Sequence, residues 1–252
     1  MKGRMPSRQG IHTKGFTMSD FRQPTLPDRG YATAASEVVR NRVMRNTYWL
    51  LALSLVPTVL GALVGLNTGI NRVMGASPGT SAIVFLIGAF GLMYLIERNK
   101  NTSLGVGLLL AFTFFMGIML SRLLGHVLGL GNGSQLIMLA FGGTAAVFGT
   151  MATIATTTKR DFSNLQKFLL IGVVILIVAS IANIFLQLPA LMLTISVMAI
   201  AIFSALLLVD LQRVINGGET NYVSATLAIY LDVYNIFANL LMLLGIFGGN
   251  RE

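Results

Sequence analysis

Hydrophobic positions in this chain do not alternate with polar ones; they come in long, nearly unbroken runs. The runs are about Thr47–Leu66, Pro78–Ile96, Leu104–Leu124, Ser134–Thr157, Leu165–Leu188, Pro189–Val214 and Tyr222–Phe247, divided by short polar breaks. Each is close to the roughly 20 apolar residues that a helix needs to cross a hydrocarbon core. The pattern predicts seven transmembrane helices. No period-two alternation is present, so a closed membrane barrel is excluded. Only Gln187-Leu188-Pro189 divides the fifth run from the sixth, which predicts a tight turn there. Pairs of small residues (Gly61/Gly65, Gly88/Gly91, Gly105/Gly107, Gly142/Gly143) are expected where helix backbones approach one another, because lipid offers no hydrophobic contrast to drive packing.

Composition sharpens this picture. Of 252 residues, 54% are hydrophobic and only 11% charged, against about 25% charged in soluble domains. Mean hydropathy is +0.76. So few charges cannot build a water-facing surface, and the fold class is an all-α integral membrane protein.

The charges are unevenly placed. Residues 1–45 hold nine of the 18 Lys+Arg and three of the nine Asp+Glu. This basic segment, interrupted by Pro24, Pro27 and Gly30, reads as a largely disordered cytoplasmic tail, with Glu37 to Arg45 starting the first helix; residues 46–252 form the membrane domain. The tail has no apolar stretch of signal-peptide length, and Met18 is a candidate initiator beside Met1. With the N-terminus inside, 15 basic residues fall on the cytoplasmic side and three, Arg72, Arg122 and Arg251, outside. That split orients the chain with its N-terminus in and its C-terminus out. A pI near 10.4 could suggest nucleic acid, but a basic tail next to a membrane helix reads as an orientation signal or a patch held near anionic lipid. The expected partner is the bilayer, not nucleic acid.

Chemistry is limited by what is missing. There is no Cys, which rules out disulfides and thiolate metal sites, and the two histidines, His12 and His126, are far apart in sequence. An ionisable side chain at the centre of a membrane helix costs roughly 2.5–3.5 kcal/mol on insertion scales, so such groups mark a pathway, a relay or a sensor by default. Two stand out: Asp210, near the cytoplasmic end of the sixth run, and Asp232, inside the seventh. At about 1.5 Å per residue, Asp232 lies roughly 15 Å into its helix and Asp210 about 6 Å from the end of its own. Ala225, Ala228, Asp232, Asn235 and Asn239 share one face of the last helix. Lipid cannot satisfy that stripe, so the last helix is expected at the centre of the bundle.

Two carboxylates that share one proton titrate as a coupled unit. Fully ionised, they repel each other and can take a hard cation such as Ca²⁺ or Mg²⁺. The simpler alternative is that each Asp is a cap, or pairs with Arg213, Arg98 or the backbone. Glu97-Arg98 reads as a solvated boundary pair. Glu219, with Thr220 and Asn221, is expected to cap the last helix, and Asn183 and Gln187 to make interhelical hydrogen bonds.

Several stretches resemble the Bax inhibitor-1 (transmembrane Bax inhibitor motif) family, and within it the bacterial YccA-like branch. Ala140-Phe-Gly-Gly-Thr144-Ala145-Ala-Val-Phe148 is similar to the family's fourth-helix element, and Tyr230-Leu-Asp232-Val-Tyr-Asn235-Ile-Phe237 to its last-helix signature. Ala182 to Leu191 and Asn216 to Tyr222 resemble the YccA-like members. The resemblance spans about residues 40–250. It implies a seven-helix bundle around the last helix, and a di-aspartyl pair at Asp210 and Asp232 serving as the pH-sensitive latch of a calcium leak. A latch arginine at the end of the second span would be Arg98, with Arg213, Asn235 and Asn239 as supporting residues. The family's Asp-Thr-Gln reads Asp210-Leu211-Gln212 here, and its Gly-Pro after the third helix is replaced by Ser121-Arg122.

The resemblance also implies a bacterial inner-membrane location and, as an alternative function, restraint of the membrane-anchored AAA protease FtsH. No enzyme is expected. The Gly-x-Gly-Asp setting of intramembrane aspartyl proteases is missing, and Pro189-Ala190-Leu191 precedes both aspartates. The last lysine, Lys167, leaves no Schiff-base residue on the final helix. No cofactor is implied beyond Ca²⁺ as a permeant or bound ion.

Overall fold

The structure, a computed structural model, describes residues 28–248. These residues form eight helices: α1 (Asp28–Asn67), α2 (Ile70–Ala76), α3 (Pro78–Asn99), α4 (Ser103–Leu128), α5 (Gly133–Thr157), α6 (Leu165–Leu186), α7 (Pro189–Ile215) and α8 (Tyr222–Gly248). All but α2 are long and apolar enough to span a membrane. The seven predicted runs are therefore seven spans, and the protein is a multi-pass, all-α membrane protein. The spans belong to a compact unit that begins at Val38.

Two features depart from the sequence pattern. Helix α1 begins at Asp28, inside the segment assigned to the disordered tail. Ala32, Ala34, Ala35 and Glu37 are good helix formers, and their helical preference outweighs the polar composition. Residues 1–27, with His12 and Met18, and residues 249–252, with Arg251, lie outside the described part of the chain. The second departure is α2, a two-turn helix in the link after the first span. It follows Gly69, whose left-handed φ of 75° breaks the helical course of the chain between α1 and α2.

The tight turn between α6 and α7 is present. Gln187 adopts a left-handed φ of 52° and Pro189 opens α7. Asn183 accepts the Leu188 N–H at 3.0 Å through its side chain. It thus closes its own turn, and is not the interhelical link that was expected. A side-chain carbonyl here satisfies a backbone donor that Pro189 cannot replace.

Helix α8 is central. It packs against α7, α5, α4 and α3, and hydrogen bonds tie it to α1: Thr226 Oγ1 donates to Thr47 O at 3.3 Å, and Thr58 and Tyr230 share a hydroxyl bond at 2.8 Å. Both contacts advance in the same chain direction, so α1 and α8 run parallel. On α6, by contrast, Leu176 is the buried residue among exposed Phe168, Ile171, Ile175 and Phe185. The core sits on one side of α6 and lipid on the other.

Glycine spacing was half informative. A Cβ at Gly61 would strike Phe114 O, and one at Gly117 would strike Thr58 O, so α1 and α4 meet backbone to backbone. Gly65 lies against Ser121, Gly88 under the Phe115 ring and Gly105 against Asn99 O, while Gly143 only grazes Leu240. Gly91, Gly107 and Gly142 face open space and make no such contact. Pairing in sequence cannot tell which glycine of two points inward.

Candidate functional site

Asp210 lies in the last two turns of α7 and Asp232 in the third turn of α8. The two helices are joined by a short loop, Asn216–Asn221, so they pack as antiparallel neighbours. Their aspartates come together: the carboxyls lie within hydrogen-bonding reach of each other. Asp210 is 8% exposed and Asp232 only 3%. Asp232 Oδ2 has no donor from any described residue. A carboxylate oxygen left so is costly to bury, and a proton shared with Asp210 is the simplest way to satisfy it.

On its other side Asp210 meets a cation. Arg213, one turn further along α7, places Nη1 3.6 Å from Asp210 Oδ1. The same guanidinium donates through Nη2 to Glu219 Oε2 at 3.2 Å. Glu219 Oε1 accepts the Asn221 N–H at 3.0 Å. The cap of α8 is therefore Asn221, whose Oδ1 accepts from Val223 N at 2.9 Å and Ser224 N at 3.2 Å. Its Nδ2 donates to Lys100 O at 3.1 Å and Asn101 Oδ1 at 2.8 Å, which fixes the start of α8 to the α3–α4 connection. Glu219, expected to cap α8 together with Asn221, holds the Asn221 N–H with one oxygen and turns the other to Arg213.

A cavity of about 320 Å³ opens here, lined by Glu97, Lys100, Asp210, Arg213, Glu219 and Ser224 with Val214, Ala225 and Ala228. Glu97 pairs with Lys100 at 2.9 Å, not with its neighbour Arg98. That hydrogen bond holds the Lys100 ammonium above its ordinary pKa. Ala225 and Ala228 are the small half of the predicted stripe, and their size leaves the space open. Asp232 is next along the same face, behind Asp210.

The remaining candidates are placed as follows. Arg98 is exposed and takes part in no ion pair among the described residues; the guanidinium facing Asp210 belongs to Arg213. Asn235 and Asn239 donate to Leu231 O and Asn235 O of their own helix, each at 2.8 Å, and continue the stripe away from the cavity. Gln212, 4% exposed, accepts from Phe162 N and donates to Arg160 O, which pins the α5–α6 connection to α7 beside Asp210.

Residues 40–250 match the family described as Inhibitor of apoptosis-promoting Bax1. The chain belongs to the Bax inhibitor-1 family. Among its relatives, the Modulator of FtsH protease YccA of Escherichia coli K12 is 42% identical over 205 residues, covering 81% of this chain and 90% of that protein. The Inner membrane protein YccA of Escherichia coli O6:H1 matches to the same extent. An uncharacterized protein of Neisseria meningitidis serogroup A is 38% identical over 215 residues, 85% of this chain and 95% of its own length.

In this Bax inhibitor-1 family chain, a second polar face of the last helix escaped sequence reasoning. Thr226, Tyr230 and Tyr234 recur every four residues and face α1 and α4; Tyr234 Oη donates to Met116 O at 3.2 Å. The Tyr230 and Phe112 rings meet nearly at right angles, at a centroid distance of 6.1 Å. Their i, i+4 spacing is the signal the sequence carries for this face. These bonds fix the rotation of α8 that turns Asp232 toward α7.

Proposed function

We propose that the protein is a pH-sensitive cation leak of the bacterial inner membrane, for Ca²⁺ foremost, in which Asp210 and Asp232 form the sensor and part of the ion path. The observation that supports it is a buried pair of carboxyls at the end of a charged cavity, one of them with an oxygen that no described donor reaches. With one proton between them the pair is bound together; a change in proton number alters both its charge and its hold on Arg213. Among the described residues no third Asp, Glu or His completes a metal site, whereas resident Ca²⁺ takes six to eight oxygens. A passing ion suits such a partial ligand set better than a stored one. The orientation follows the positive-inside split, with the N-terminus cytoplasmic and the cavity opening on that side.

The test is Ca²⁺ flux into proteoliposomes of the purified protein from mildly acidic to mildly alkaline pH. Flux above empty vesicles that changes with pH is expected; no flux at any pH would refute the leak.

A second reading draws on a different observation, the 42% identity to a protein named Modulator of FtsH protease. On that reading the chain restrains an FtsH-type membrane protease through its basic tail. Deleting residues 1–27 separates the two: flux survives the deletion, whereas restraint of the protease does not. The roles are compatible.

A further inference from the structure

We infer that Glu219, in the loop between α7 and α8, is a positioning residue that sets the proton affinity of the Asp210–Asp232 pair by dividing Arg213 with it. This rests on reading that pair as a proton-responsive element.

The geometry is a fork. Arg213 has one nitrogen 3.6 Å from Asp210 and another 3.2 Å from Glu219. The nearer, better-formed bond goes to Glu219. Glu219 is in turn held in place: its second oxygen takes Asn221 N–H, and its own N–H, with that of Gly218, donates to Arg213 O at 3.2 and 2.8 Å. Gly217 provides the left-handed turn, φ 75°, that folds the loop back on the helix end. Arg40 of α1 lays its side-chain stem against that glycine. The loop is thus a fixed fitting with an acid aimed at the guanidinium.

The other charges around Asp210 are few. From α8 it faces Asp232, from its own helix Arg213, and across the cavity Glu97 and Lys100, which pair with each other. Helix α5, which packs on α7, carries no ionisable side chain, and Lys167 is the one on α6; the connection between them brings Lys159, Arg160 and Asp161 past Gln212, and none of the three pairs with Asp210. Among the described residues Arg213 is the cation within ion-pair distance of Asp210, and Glu219 draws it away. Both effects of Glu219, its own negative charge and its claim on Arg213, disfavour ionisation of the pair. Removing that charge favours the ionised form, so the pair releases its proton at lower pH.

The experiment follows the carboxylic C=O stretch of the protonated pair by infrared spectroscopy of reconstituted protein as pH is varied, alongside Ca²⁺ flux. Asp232→Asn identifies the band. Glu219→Gln moves its midpoint to lower pH by about half to one unit, discounted for the partial exposure of Arg213. Glu219→Asp, which keeps the charge, restores most of the native midpoint. Arg213→Gln moves it the other way, and Glu219→Gln in that background moves it less than half as far. The exposed Asp161→Asn serves as a control and leaves the midpoint in place.

An unmoved midpoint in Glu219→Gln, or an equal shift with and without Arg213, overturns the inference even where flux is present. If Glu219→Gln does not accumulate, the Arg213→Gln midpoint decides alone, and no alkaline shift overturns it. Infrared shifts as stated in a protein without flux would uphold the Glu219 role while removing the leak.

Discussion

One hydroxyl bond, Thr58 to Tyr230, joins the first span to the last in the middle of the bundle. Its contribution can be isolated, because Thr58 Oγ1 also reaches Ser54 O at 2.8 Å and is not stranded when Tyr230 loses its oxygen. Tyr230→Phe keeps the ring against Phe112 and should cost about 1 kcal/mol of stability, read by denaturant unfolding in detergent. A loss several times larger would mean that the hydroxyl holds more than Thr58. At this scale the site was partly legible. Asp210 and Asp232 announce themselves, since a charge in an apolar run has no cheap explanation. Glu219 and Lys100 do not, because charges in polar breaks are ordinary there. Their meaning depends on which loops meet, and one-dimensional order does not contain that. The choice of Arg213 over Arg98 is of the same kind: both end a span, and only the rotation of each helix decides which faces the cavity.

Helices meet in two ways here, by backbone contact and by side-chain capping. The α1–α4 crossing depends on Gly61 and Gly117, so Gly61→Ala or Gly117→Ala should destabilise by about 1–3 kcal/mol or reduce accumulation. Gly107→Ala and Gly142→Ala enter open space and should be neutral or stabilising by up to about 1 kcal/mol. Thermal unfolding of the four variants in one detergent would check the contrast; equal effects would contradict the packing described. At the α6–α7 turn, Gln187 holds a left-handed conformation suited to glycine. Gln187→Gly should therefore gain roughly 0.5–1 kcal/mol in the same assay, the relief being partly offset by the greater freedom of the unfolded chain. The spans themselves were legible to within a few residues, because length and hydropathy alone define a membrane helix. Helix α2 was not, being seven residues long in a mixed segment. The start of α1 was hidden as well, since a polar helix and a polar coil share a composition.

Across the whole molecule, the burial pattern separates scaffold from site. Helices α3, α5 and α6 bury little of their surface within the protein, while α4, α7 and α8 bury the most among α3–α8. The polar cavity and the carboxyl pair lie in the α7–α8 part of that inner set, at the end where the loops carry Lys100, Lys159 and Arg160. Membership of the Bax inhibitor-1 family and the bundle around α8 are consistent with one design, in which the last helix is positioned by Tyr230 and Tyr234 on one face and presents Asp232 on another. The family resemblance was readable from short motifs on those same helices. The proposed gating chemistry rests on two side chains, Asp210 and Asp232.

The decisive measurement is Ca²⁺ flux in proteoliposomes as a function of pH, comparing the native protein with Asp210→Asn and Asp232→Asn. Asparagine matches the shape of a protonated aspartate but cannot titrate. The account predicts a pH-dependent flux in the native protein and a response that is flattened or displaced in each variant. A pH response identical in all three proteins would contradict it.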